Sequence, residues 1–173
     1  MTEIGWIIGG LVLLFGFVVF RGAPYVPSHR RQVERAFTEL YEVSDEDVIV
    51  DVGSGDGIVL RIAERHGATA IGYELNPALV LLSRLLSRRS RKTTVHLADF
   101  WKVKLPPETT LVYGFVVERD IEKMARKLQR ECDRLGHPLH FISYGAMIKD
   151  HPSLRDLGAH HLYVFTPLQI SKP

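Results

Sequence analysis

A glycine-rich loop with two carboxylates is the part of this sequence whose residue types and spacing could do chemistry. The loop covers residues 51–57, reads DVGSGDG, follows an apolar stretch at 47–52 and precedes a stretch with helical periodicity. Glycine in such a turn can adopt positive φ and lets a ligand approach the backbone, because it has no Cβ. The loop therefore predicts a ligand site formed by Asp51, Gly53, Ser54, Gly55, Asp56 and Gly57.

The charges of the loop indicate which ligand it binds. A dinucleotide-binding loop would have glycine at position 58, where this chain has Ile58. Asp51 and Asp56 would repel a pyrophosphate, whereas they suit a ligand that carries an ammonium group. S-adenosylmethionine is such a ligand, with an α-amino group and a sulfonium, and is the expected cofactor. The alternative is structural, with Gly57 opening a helix that Asp56 caps.

Two further acidic residues follow the next two predicted strands. Glu74 ends the stretch at 69–74, and a carboxylate there can accept both hydrogen bonds of a ribose diol. Asp99 follows the stretch at 94–98 and could accept from the adenine amine beside the ring of Phe100; alternatively, it caps a turn. Because parallel strands present their carboxyl ends at one edge of a sheet, these residues are expected to line the same crevice as the loop.

Tyr113 and Phe115 are the candidate catalytic residues. They lie near the end of a predicted strand at 110–117. A methyl group on a sulfonium is already activated, so alignment and desolvation of the acceptor carry most of the catalysis. The two residues could present ring faces or a carbonyl to an amine and to the sulfonium, or they could be core aromatics. No Asn/Asp-Pro-Pro-Tyr motif stands at this point, and such a motif would indicate methylation of a base amino group.

The elements that must position these residues alternate between strands and helices. Such alternation predicts an α/β fold with a doubly wound, Rossmann-like parallel sheet. In the helix predicted at 77–89, Leu79, Leu82, Leu85 and Leu86 fall on one side. The predicted strands cover 47–52, 69–74, 94–98, 110–117, 139–144 and 161–165, and the predicted helices cover 57–66, 77–89 and 120–135.

Length and composition exclude several classes of protein. The 173 residues are 46% hydrophobic and 24% charged, which leaves room for one globular domain and rules out disorder of the whole chain. The single cysteine rules out a disulfide framework, and the eight histidines lack ligand spacing, so no metal is expected. The net charge of +2 is too small to indicate a nucleic acid partner. Solvation and the helix dipole account for the basic cluster Arg84, Arg88, Arg89, Arg91 and Lys92, with contact to anionic head groups or RNA as alternatives.

The N-terminal segment is the one part of the chain with almost no charge. Residues 4–20 contain none and would form a helix of about 26 Å, which predicts a single-pass transmembrane helix; a buried core helix or a re-entrant segment is the alternative. Arg21, Arg30 and Arg31 follow the run, which predicts that the rest of the chain lies on the cytoplasmic side. The predicted division is a membrane anchor at 1–21, a linker and helix at 22–45, and a catalytic domain at 46–173.

At these motifs the chain resembles the seven-stranded, S-adenosylmethionine-dependent methyltransferases. The order apolar segment, PYVPS, VDVGSGDG, GYELNP and ADFWK is similar to the membrane-anchored protein-lysine methyltransferases that modify the mitochondrial adenine nucleotide translocase and the ATP synthase c-subunit. The resemblance implies that Asp51, Gly53 and Gly55 hold the methionyl part of the cofactor. It assigns the ribose to Glu74, and the adenine to Asp99 with Phe100. Ile58 departs from the arginine that is usual there.

The resemblance implies methylation of a protein lysine at or near a membrane, with a protein substrate as the partner. Two alternatives stay open. The same cofactor site could serve a small-molecule, lipid or RNA methyltransferase, or the chain could be a noncatalytic nucleotide-binding module held at the membrane.

Overall fold

One mixed sheet forms the centre of the protein. The computed structural model describes residues 29–168 and, ahead of them, Glu3, Gly5, Trp6 and Gly9. In this part of the chain seven strands are ordered β3-β2-β1-β4-β5-β7-β6. They are β1 (Val48–Val52), β2 (Thr69–Glu74), β3 (Thr93–Leu97), β4 (Leu111–Val116), β5 (Leu139–Gly145), β6 (Arg155–Leu157) and β7 (His160–Phe165).

Strands β1 to β5 pair in parallel, and β7 runs antiparallel to both β5 and β6. Helix α1 (Arg30–Arg35) and a π-helical turn at Ala36–Leu40 precede β1. The helices α2 (Ile58–Arg65), α3 (Pro77–Leu86) and α4 (Glu118–Leu135) and a 3-10 turn at Phe100–Lys102 lie between the strands. The predicted α/β fold with a Rossmann-like sheet is therefore confirmed, but the sheet is not wholly parallel as predicted, because the short hairpin of β6 and β7 returns the chain antiparallel to β5.

The core lies on both faces of the sheet. On one face Phe37, Leu60 and Val80, from the π-helical turn, α2 and α3, pack over Ile49 and Tyr113. On the other face α4 buries its apolar side against β1, β4, β5 and β7. Because the sheet is covered on both sides, its middle strands are mainly apolar, which is the pattern that predicted them.

Several element boundaries differ from the predictions for local physical reasons. The helix predicted within 22–45 begins at Arg30 with His29 as its N-cap, and it is followed by the π-helical turn. The helix predicted at 77–89 ends at Leu86. Strand β6 was not predicted, since its three residues lack an apolar run and lie at the sheet edge.

The side of α3 that holds the leucines faces solvent and not the protein core. Leu82, Leu85 and Leu86 are exposed, while Val80 and Ser83 are the buried residues of the helix. A Cβ at Gly57 would overlap the Ser83 hydroxyl, so the helix meets the glycine loop with a small residue rather than with a leucine.

Apart from the helical Gly5, Trp6 and Gly9, the membrane anchor predicted at 4–20 lies outside the described residues, as do the connector at 24–28 and the predicted boundary at 21. None of the helices in the described part combines the length and the apolar character needed to cross a bilayer. The division into 1–21, 22–45 and 46–173 stays a prediction.

Candidate functional site

The glycine loop leaves β1 at the carboxyl edge of the sheet and leads into α2. Gly53, Gly55 and Gly57 have φ angles of 70°, 53° and 78°, in the region that favours glycine. The amides of Gly53 and Ser54 donate to the Tyr73 carbonyl at 2.9 and 3.2 Å, which fastens the loop to β2. A Cβ on Gly53 would meet no atom within 4 Å, so open space lies in front of this residue. The loop therefore presents bare backbone to a ligand.

Glu74 ties the loop to the start of α3. It is 8% exposed, and its carboxylate accepts hydrogen bonds from the Gly55 amide at 2.9 Å and the Asn76 amide at 2.7 Å. A carboxylate has about four acceptor positions, so two amide donors leave acceptor capacity for the hydroxyls of a ribose. Glu74 thus combines a structural role in the loop with the capacity to bind a diol.

Asp51 is the unpaired charge of the site. Its side chain lines the crevice, is 3% exposed, and makes no hydrogen bond or ion pair within the described part of the chain. Burial, and then the nearby carboxylates of Glu74 and Asp56, raise the pKa of Asp51 well above its usual value. A cationic ligand group would stabilise the charged form of Asp51, because it would supply the missing countercharge.

Asp56 already has a countercharge. Its carboxylate accepts from the Ile58 amide at 3.2 Å and lies 3.4 Å from the Arg61 guanidinium. Asp56 therefore holds the first turn of α2 through the Ile58 amide, although the N-cap position itself is Gly57. Of the two loop carboxylates, Asp51 is the one that faces the crevice unpaired.

Two other predicted ligand residues occupy structural positions. The Ser54 hydroxyl is buried without a partner in the described residues and lies over Gly72, where a Cβ would come within 2.5 Å of it. Ser54 therefore lines the crevice with its backbone. Phe100 is 4% exposed and packs against the rings of Tyr73 and Trp101, so its ring belongs to the core and not to the crevice.

Asp99 acts as the cap of the 3-10 turn. One of its carboxylate oxygens accepts from the Trp101 amide at 3.0 Å, and the other lies 3.6 Å from the Lys102 ammonium. The capping alternative for this residue is therefore shown. Its half-open position after β3 still places it at the edge of the sheet where the loop and Glu74 lie.

Tyr113 and Phe115 enter the site from β4, at different depths. Tyr113 is 1% exposed, lies beneath the glycine loop, and its hydroxyl is 2.9 Å from Nε2 of His160. Burial, and then His161, lower the pKa of His160 to about 4, so this imidazole is neutral at physiological pH and forms a stable part of the core. Tyr113 closes the floor of the crevice.

Phe115 separates two cavities. It lines the narrow crevice at the glycine loop, and it also lines an open cavity of about 660 Å³ beyond the ends of β4 and β5. Its ring meets Tyr144 edge to face at 5.6 Å. The second cavity continues along Val116, Val117, Glu118, Gly145, Ala146, Met147, Ile148 and Lys149.

Sequence reasoning missed Leu75 and Ile58. Leu75 follows Glu74 directly at the end of β2 and is 47% exposed, and Ile58 lines the crevice from the first turn of α2. An exposed leucine between Glu74 and the helix cap Asn76 is the signal for an apolar ligand surface, and it was visible in GYELNP.

The residues present fit S-adenosylmethionine by their own geometry. Open space in front of Gly53 lets a ligand reach the backbone. The unpaired Asp51 can bind the cationic amino group, and Glu74 retains acceptor capacity for the ribose hydroxyls. Within the described ranges, no group of three or more His, Cys, Asp or Glu side chains is arranged to hold a metal ion.

Comparison with known proteins gives one family match, the ANTKMT methyltransferase domain, over residues 51–144. The chain is 37% identical over 111 residues to the ATP synthase c-subunit lysine N-methyltransferase of Xenopus laevis, covering 62% of this chain and 48% of that protein. It is 38% identical over 112 residues to the adenine nucleotide translocase lysine N-methyltransferase of Mus musculus, with the same two coverages. The chain thus spans about half the length of these curated relatives.

Among solved structures, an RNA methyltransferase from Salinibacter ruber in complex with S-adenosyl-L-homocysteine superimposes with a TM-score of 0.72. It is 26% identical in sequence, and the match covers 86% of this chain and 98% of that chain.

Proposed function

The chain belongs to the ANTKMT methyltransferase domain family, and we propose that it transfers a methyl group from S-adenosylmethionine to a lysine side chain of a protein. The observation that carries the proposal is the buried, unpaired Asp51 beside an open glycine loop. The similarity to two lysine methyltransferases supports lysine as the acceptor.

The cofactor is proposed to lie across the ends of β1, β2 and β3. Asp51 binds its amino group, the backbone of Gly53 and Gly55 follows its amino acid part, and Glu74 accepts from the ribose hydroxyls. Leu75 offers an apolar surface to the adenine, with Asp99 at its edge. When bound, S-adenosylmethionine supplies a methyl group that is already activated by the sulfonium.

The acceptor is proposed to approach through the open cavity of about 660 Å³. Glu118 at its rim attracts the lysine ammonium, and Phe115 guides the side chain from this cavity into the crevice. A lysine that passes these apolar walls leaves water, which lowers the pKa of its ammonium and favours loss of the proton. Phe115 then excludes water and aligns the amine with the methyl group.

The membrane is proposed as the place of action. The uncharged run at 4–20 supports a single-pass anchor, and Arg21, Arg30 and Arg31 after it support a cytoplasmic position of the catalytic domain. Anchoring would confine the site to protein segments near the bilayer surface.

Mass spectrometry with a deuterated methyl donor tests the proposal. The full chain is incubated with membrane protein fractions and S-adenosylmethionine that carries a deuterated methyl group, beside an Asp51→Asn variant. Deuterated methyl groups on lysines, in the parent reaction only, are the expected result. Label that reaches no protein lysine would contradict the proposal.

RNA methylation is the second candidate function. It is supported by the match to the Salinibacter ruber RNA methyltransferase, which covers more of this chain than either lysine methyltransferase does. The same donor incubated with total RNA separates the two, because label on nucleosides and not on lysines would favour the second.

A further inference from the structure

Five leucines form an exposed apolar surface at the β3 edge of the sheet. We name this surface the leucine face. It consists of Leu81, Leu82, Leu85 and Leu86 of α3 and Leu97 of β3, whose side chains are between 41% and 70% exposed. Leu97 points to the side of the sheet that α3 covers, because Val95, two residues earlier, packs in the same cluster as Val80. Contiguous exposed leucines of this kind mark an interaction surface.

The leucine face is not needed for the fold. Helix α3 holds its place through Val80 and Ser83, which are buried, and through Arg84, whose guanidinium donates to the Val95 carbonyl at 2.7 and 3.0 Å. At 100° per residue, Leu82, Leu85 and Leu86 lie on the opposite side of the helix from Val80, and Leu81 lies on its flank. A one-sided apolar surface that points to solvent therefore needs another explanation.

Positive charge surrounds the leucine face. Residues 75–98 contain five Lys and Arg residues and no Asp or Glu. Arg88 and Arg89, at the end of α3, and Arg91 are exposed. In the described part of the chain none of these three guanidinium groups has an ion-pair or hydrogen-bond partner. The hydrogen bond between Arg91 and Glu64 is made by the backbone amide of Arg91.

We propose that the leucine face docks on the surface of an anionic lipid bilayer, with α3 lying in the plane of the interface. Leucines beside arginines match such a surface, because the apolar side chains enter the acyl boundary while the guanidinium groups contact anionic head groups. A second copy of the chain fits less well, since a two-fold contact would bring together two basic clusters, each with five Lys and Arg residues beside the carboxylate of Glu64. This docking is separate from the predicted anchor at 4–20.

The position of α3 connects the docked surface to the site. Asn76, which caps α3, donates its amide to Glu74, the residue that holds Gly55 of the loop. A helix fixed on the bilayer would therefore hold the crevice close to the head groups, within reach of the bilayer-facing ends of membrane proteins.

A fluorescent probe tests the proposal in the full chain. An environment-sensitive dye is attached at Leu81→Cys, and in a control chain at Ala159→Cys, an exposed position beyond the opposite sheet edge; the one native thiol, Cys132, is buried. Vesicles of phosphatidylcholine alone are compared with vesicles that also contain phosphatidylglycerol. We expect a blue shift only for the dye at 81 and only on the anionic vesicles.

Second substitutions in the labelled chain identify the contacts. Arg88→Gln and Arg89→Gln should each lower the inserted fraction at low occupancy about fivefold. Leu85→Gln should lower it about tenfold or more, whereas Leu154→Gln, a matched exposed leucine next to β6, should leave it unchanged.

Three results would overturn the proposal. The dye at 81 could remain in water on anionic vesicles. The dye at 81 could be shielded from water in the absence of vesicles and become exposed on dilution of the protein, which would show a second copy on the leucine face. It could also be shielded at every dilution without vesicles, which would show that another segment of the same chain covers it.

Discussion

Replacing Asp51 with asparagine should change cofactor affinity and stability in opposite directions. Asparagine has nearly the same shape, so the variant removes the charge and keeps the packing. A hydrogen bond to a charged group contributes about 1.5–3 kcal/mol. Its loss from the cofactor amino group should weaken binding of S-adenosylhomocysteine about 10- to 150-fold.

The ligand-free variant should instead be more stable than the parent. Burial and the carboxylates of Glu74 and Asp56 raise the pKa of Asp51, which means that its charged form is destabilised in the folded protein. In a chain of this size each kcal/mol gained should raise the melting temperature by about 2–4 °C.

The parent and the variant should also differ in their dependence on pH. Because the pKa of Asp51 is higher in the folded than in the unfolded chain, the folded state retains the proton to higher pH. Its stabilising contribution is complete below about 3.8 and is lost as the pH rises through the folded pKa. The Asp51→Asn variant should lack this loss.

Isothermal titration with S-adenosylhomocysteine and thermal unfolding without ligand measure both effects. Asp45→Asn is the matched control, since Asp45 is an exposed carboxylate before β1, at the other end of the strand, and should change neither. Parental affinity in Asp51→Asn, or a lower melting temperature without ligand, would refute the reasoning.

Three further variants test other parts of the site. Glu74→Ala removes the acceptor of two backbone amides, so it should lower the free energy of unfolding, measured by urea denaturation, by about 1–3 kcal/mol. It should also abolish cofactor binding, and full stability would show that the loop does not depend on Glu74. Gly72→Ala should cost about 1–3 kcal/mol because its methyl would meet Ser54 Oγ at 2.5 Å and Leu60 Cδ1 at 2.7 Å. Ser54→Ala in the same chain should restore only the part due to the hydroxyl, and a harmless Gly72→Ala would contradict the packing. The pKa of His160 falls from 6.5 to about 4 on folding, so the unfolded state takes up a proton first as the pH is lowered. The free energy of unfolding should therefore fall by about 2 kcal/mol between pH 7.5 and pH 5, and by less in His160→Gln. Equal losses of stability in the two chains would contradict a buried neutral imidazole.

The sequence was sufficient to predict the five parallel strands and the position of the glycine loop, but not β6 or the antiparallel direction of β7. Apolar runs ended by Gly53 and Glu74 identify strands that are buried on both faces. The helices are recognised by hydrophobic residues that recur with a period of 3.6 residues. The same pattern could not show which side of α3 faces the protein. Its leucines lie on one side as predicted, yet the tight contact between Ser83 and Gly57 turns that side to solvent.

Residue roles that depend on side-chain direction were also beyond the sequence. Phe100 follows β3 where an adenine contact was expected, but its ring turns into the core. The hydrogen bond of Tyr113 with His160 joins residues 47 positions apart, and no spacing rule relates them. Asp51 was predicted as a ligand residue, whereas its lack of a partner became visible only when the neighbouring carboxylates were placed.

A crystal structure of the full chain with S-adenosyl-L-homocysteine tests the central claim most directly. We predict that the amino group of the ligand lies within hydrogen-bond distance of Asp51, that its ribose hydroxyls donate to Glu74, and that Gly53 contacts its amino acid part. Density for the ligand at another place, or a glycine loop that stays empty at saturating ligand, would contradict the account.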